Sequence, residues 1–117
     1  MDAYTGDRNA ANAVLHRRLH APVTVDAEVL HGCRRAWFAG RMSTAQVLFV
    51  IDSVADADIL RHGIEPLVGR MWELRYNVSA YDAAYVALAE SLNLPLITRD
   101  ARLARSSGHA ARIEYIA

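Results

Sequence analysis

Asp82 and Asp100 are the two side chains of this sequence best placed to do chemistry. Each belongs to a local pattern that decides where its carboxylate lies. Ser79 followed three residues later by Asp82 is a capping pattern, in which the serine oxygen takes a first-turn amide and the acid sits where the helix dipole favours negative charge. Asp100 follows Leu96 and Ile97, a short run without polar alternation, and Thr98 and Arg99 lead out of it. It therefore falls just past the C-terminal end of a strand, the edge at which open α/β sheets bind ligands. Two carboxylates facing one crevice repel unless a cation lies between them. The pattern reads either as a divalent-metal site or as two unrelated surface caps, and spacing alone leaves both open.

The elements that hold these acids can be read around them. From Ser79, Tyr81, Tyr85, Leu88 and Leu92 recur at helical spacing, Ala83, Ala84, Ala87 and Ala89 allow close approach, and Asn93 and Pro95 stop the helix. A second helix is expected from Asp26, as its cap, to Ala39, with Gly40 as the left-handed end and Leu30, Cys33 and Trp37 on the core side. Glu28 falls in the first turn of that helix, like Asp82 in its own. It complements the dipole or, together with Asp82, faces a metal. Arg34 and Arg35 further along form a solvated face or touch phosphate. After Asp100, residues 101–105 read as a short helix; Arg99, Arg102 and Arg105 around the acid either hold phosphate or make a charged surface turn.

The rest of the chain completes an alternating order. Residues 7–20 read as a helix capped by Asp7, on which His16 and His20 stand four apart without a third metal ligand. Val23, Thr24 and Val25 form a short strand. Ser43 caps a helix whose apolar positions are Val47, Val50, Ile51 and Val54, leaving Asp52 solvated. Ile59 and Leu60 form another strand, ended at His62 and Gly63. Ile64, Leu67, Val68, Met71 and Leu74 mark a helix with Pro66 in its first turn, and Trp72 and Tyr76 on it read as core or interface rather than as stacking platforms. Residues 113–116 alternate as a final strand. Helices alternating with strands predict an α/β fold, a three-layer α/β/α arrangement about a largely parallel sheet.

Composition narrows the class. The 117 residues read as one domain, 1–117, long enough to bury a core. The formal charge is zero and all thirteen basic residues are Arg, which excludes binding through a generally basic surface but leaves two-pronged Arg contacts to phosphate. The single Cys33 excludes an internal disulfide and fits a buried, reduced thiol. With no apolar run of membrane-spanning length and no signal peptide, a cytoplasmic protein is expected.

The string YDAAYVALAESLNLPLITRDARLA resembles the C-terminal half of the PIN-domain family, in particular the VapC-type toxins of bacterial toxin–antitoxin pairs, and PVTVDAEVLHGCRRAWFAG is similar to its earlier helices and strand. The resemblance implies a magnesium- or manganese-dependent endoribonuclease acting as a homodimer with an antitoxin partner. Glu28, Asp82 and Asp100 match three of the family's four active-site acids, as catalytic residues and metal ligands, with Thr98 orienting water or a ligand. RNA contact would fall to Arg35, Arg99 and Arg102. The opening MDAYTGDRNAANAV matches a region after the family's first strand, so that strand and its acid are expected to be absent, activity to be impaired, and the sheet to be left with a gap between the strands at 23–25 and 96–97. The alternative is a non-catalytic PIN-like module that dimerises or binds an antitoxin.

Overall fold

The computed structural model describes residues 18–117. In chain order the elements are β1 (Leu19–Pro22), α1 (Val25–Phe38), α2 (Thr44–Asp56), β2 (Ile59–His62), a 3-10 turn (Glu65–Leu67), α3 (Val68–Glu73), α4 (Ala80–Leu92), β3 (Leu96–Thr98), α5 (Ala101–Ala104) and β4 (Ile113–Tyr115). This is the expected α/β alternation. The described strands form two parallel pairs: β1 with β2, Leu19 opposite Ile59 and Pro22 opposite His62, and β3 with β4, Leu96 opposite Ile113 and Thr98 opposite Tyr115. The helix expected over 7–20 lies outside the described residues except for its end, as does the question of an opening strand. Leu19 and His20 are in β1, not in a helix, and His20 Nδ1 lies 2.9 Å from His62 Nε2 on the neighbouring strand.

Several ends are set locally. Ser43 caps α2 reciprocally with Gln46: the serine Oγ accepts from Gln46 N–H at 3.1 Å and Gln46 Oε1 accepts from Ser43 N–H at 2.8 Å. Gly40, at φ 75°, follows α1 in the left-handed region, and Asn93 closes α4 at φ 53°. Two expectations shift. The strand expected at 23–25 is displaced to Leu19–Pro22, because pairing with β2 decides its position and Val25 is already helical. Asp26 is not the cap of α1: Thr24 occupies that place, and Asp26, in the first turn, grips Arg61 of β2 through a two-pronged ion pair of 2.7 and 2.8 Å.

The core gathers on α4. Every residue from Ala83 to Ala89 is buried, so this helix is apolar all round, and its alanines let β1 and β3 pack close. Ala21, Val25, Val29 and Cys33 join it from β1 and α1, with Leu74, Leu96 and Leu103 from the other half. The buried face of α1 is thus Val25, Val29 and Cys33; Leu30 and Trp37, expected inward, are exposed. Tyr81 likewise points to water instead of extending the stripe of Tyr85 and Leu88. Among the described residues no helix is long and apolar enough to cross a membrane.

Candidate functional site

The first turn of α4 builds one wall of the site. Ser79 Oγ accepts from the Asp82 N–H at 3.2 Å, which starts the helix and fixes the Asp82 backbone while leaving its side chain out of the cap. The Asp82 carboxylate is half-buried, and among the described residues it has no hydrogen-bond or ion-pair partner. It lines a pocket of about 370 Å³ together with Arg75, Tyr76, Asn77, Ser79 and Arg102.

Asp100 approaches from the end of β3. Its Oδ1 accepts from the N–H groups of Arg102 and Leu103, at 2.9 and 3.2 Å, and so caps α5. That bond places Arg102 on the wall of the Asp82 pocket, two residues from Asp100. Thr98 is 1% exposed, and its Oγ1 accepts from Asp100 N–H at 3.0 Å. The hydroxyl expected to orient water or a ligand also holds the backbone of Asp100.

Glu28 reaches the same helix by another route. Its Oε1 accepts from Thr24 Oγ1 at 2.9 Å and from the Tyr85 hydroxyl at 3.3 Å. Tyr85 is three residues beyond Asp82, one turn along the same face of α4. The tyrosine, which sequence reasoning treated only as core, is therefore the link between Glu28 and the Asp82 turn; a buried phenol needs a partner, and that requirement was the available signal. Arg35 sits elsewhere, in a separate pocket with Arg34, Phe38 and Arg41.

Among the described residues, no three His, Cys, Asp or Glu side chains come together as a ligand set for one metal ion. Glu28 is bonded to Tyr85 of the helix that carries Asp82, and the turn that Asp100 caps carries Arg102 to the Asp82 pocket. Their donor chemistry, carboxylate oxygen throughout, is that of a hard cation, and magnesium commonly binds through one or two carboxylates plus substrate phosphate while keeping several waters. The residues fit such an ion and not a zinc-type site closed by Cys and His.

Residues 3–108 match the PIN domain family. The chain is 40% identical to the VapC ribonuclease Mb0985 of Mycobacterium bovis over 101 residues, covering 86% of this chain and 80% of that protein. It is 40% identical to ribonuclease VapC12 of Mycobacterium tuberculosis over 112 residues, covering 92% and 87%. With ribonuclease VapC1 of the same organism the identity is 37% over 123 residues, covering 99% and 91%.

Proposed function

The chain belongs to the PIN-domain family, as one of its VapC-type toxins, and we propose that it is an endoribonuclease that hydrolyses RNA phosphodiester bonds with a divalent ion, Mg2+ or Mn2+, held at Asp82 and Asp100. The observation that carries the reading is the half-buried Asp82 carboxylate, without a partner among the described residues, on a pocket wall shared with two arginines. A carboxylate in that position keeps its oxygens available, and a divalent cation is the ligand that hard carboxylate oxygens suit. When bound, the ion would polarise the scissile phosphate and lower the pKa of an attacking water.

The chain's own residues then have separate tasks. Asp82 and the Oδ2 of Asp100 supply hard oxygen donors, while Asp100 Oδ1 is spent on the start of α5. Thr98 fixes the backbone from which Asp100 projects. Glu28, whose Oε1 is steadied by Thr24 and Tyr85, would offer Oε2 as a further carboxylate oxygen toward the ion. Arg102 offers a two-pronged contact to a phosphate entering the pocket. Membership also brings a cognate antitoxin as partner. A homodimer is the reading of the apolar side chains left exposed on α1 and α2, among them Phe38, Leu48 and Phe49.

The test is cleavage of RNA by the purified chain with Mg2+, with Mn2+ and with excess EDTA. Cleavage that needs the ion and is lost in Asp82→Asn is the expected result. A folded chain that binds its antitoxin but cleaves under none of these conditions would make it a non-catalytic module.

A further inference from the structure

The C-terminal end of α3 carries a group that the cleavage chemistry does not use. Trp72 is 65% exposed and Tyr76 86%, so of the core or interface expected for them the core is excluded. Two large rings facing water forgo the burial that normally stabilises them. Arg75 lies against both, its Cζ 4.3 Å from the Trp72 ring centroid and 4.6 Å from that of Tyr76, and its Nη1 donates to the Trp72 carbonyl at 2.9 Å. Three planar groups are thus held together by five consecutive residues. The adjacent acid, Glu73, is turned to Arg70 at 3.3 Å, and among the described residues Arg75 forms no ion pair. Arg75 and Tyr76 line the same pocket as Asp82 and Arg102.

We propose that Trp72, Arg75 and Tyr76 form a subsite for single-stranded RNA, in which unpaired bases stack on the open ring faces while Arg75 and Arg102 hold the phosphates of the strand as it passes Asp82. The placement of that strand rests on the ribonuclease reading above. Charge decides the occupant. An apolar protein partner would leave two guanidinium groups opposite nothing, whereas a nucleic-acid strand brings a negative charge per nucleotide and a π-face per base. Paired bases have no face to offer, so the subsite selects unpaired segments.

The experiment measures binding of a short single-stranded RNA to the parent chain in EDTA, where metal-dependent cleavage is off, by anisotropy and by intrinsic tryptophan fluorescence. The subsite predicts quenching that disappears in Trp72→Phe, and affinity weakened roughly tenfold in Trp72→Ala and in Tyr76→Ala, the scale of one lost base stack. Trp72→Phe should restore most of the affinity. Arg75→Ala should reduce the slope of log affinity against log salt by about 0.7, the value for one phosphate on a single strand, while the ring variants leave the slope unchanged. Melting temperatures close to that of the parent establish that each variant is folded. Folded ring variants that bind RNA as the parent does overturn the subsite, and lost antitoxin binding or dimerisation in those same variants would put the rings in a protein interface. A chain that binds RNA through the rings yet never cleaves it refutes the nuclease and supports the subsite; one that cleaves, with KM unchanged in the ring variants, refutes the subsite alone.

Discussion

Asp82 and Glu90 stand about two turns apart on α4, and the helix treats them oppositely. Glu90 is saturated. Its two oxygens accept from Arg70 Nε and Nη2 at 2.8 and 2.9 Å, and from the Ala110 N–H at 2.8 Å, which ties α3, α4 and the segment before β4 into one joint. The Arg70 hydrogen bonds hold the Glu90 carboxyl below the usual carboxylate range despite the opposing effect of its burial. Asp82 has a capped backbone and an unsaturated side chain. The contrast separates an acid bound into the fold from one whose side chain has no partner among the described residues, a distinction that composition and spacing do not reveal.

Exchanging one acid at a time should divide the two roles cleanly. Asp82→Asn is expected to lower metal-dependent RNA cleavage by at least about a hundredfold, the factor that a few kcal/mol of lost metal positioning represents, with little change in urea unfolding. Glu90→Gln is expected to do the reverse. It removes the ionic half of a two-pronged pair in which Arg70 is about one-third exposed, so after allowance for solvent screening it should cost about 1–2 kcal/mol of stability, read from the urea midpoint, while the cleavage rate of the folded fraction stays at the parent value.

Acid sharpens the same comparison with a smaller effect. The folded-state pKa of Glu90 lies below its unfolded value of about 4.3, so its contribution is complete above that pH and is lost as pH falls through the folded value. Asp26, lowered by its hydrogen bonds to Arg61, behaves likewise. Stability measured from pH 7 down to pH 2 should therefore fall less steeply in Glu90→Gln than in the parent. An acid limb equally steep in that variant would show that the Arg70 joint contributes nothing to pH dependence.

How far the sequence foretold this arrangement depended on how local each cause was. Ser43, Ser79, Gly40 and Asn93 marked helix ends correctly because a cap needs only its own turn. Asp82 in a first turn and Asp100 after a strand were legible for the same reason. The partners of Glu90 were not, since Arg70 and Ala110 each lie twenty residues away and only tertiary packing brings them in. Nor was the displacement of β1, which pairing with β2 decides forty residues downstream. Trp72 and Tyr76 were left between core and interface because their spacing marks a helix face without saying whether anything covers it, and their exposure removes the core. The bond from the Asp100 N–H to the Thr98 hydroxyl was not legible either, because it depends on how the chain turns after β3.

The division of labour on α4 is tested most directly by counting bound metal without reference to catalysis. Mn2+ titrated into the parent, Glu90→Gln and Asp82→Asn chains, followed by electron paramagnetic resonance of the free ion, gives an affinity for each. Melting curves with metal at about ten times its Kd should show roughly 1.4 kcal/mol of added stability wherever the ion binds only the folded state. The account predicts that the parent and Glu90→Gln bind Mn2+ alike and gain that stability, whereas Asp82→Asn loses both. Parent-like Mn2+ affinity in a folded Asp82→Asn chain would contradict it.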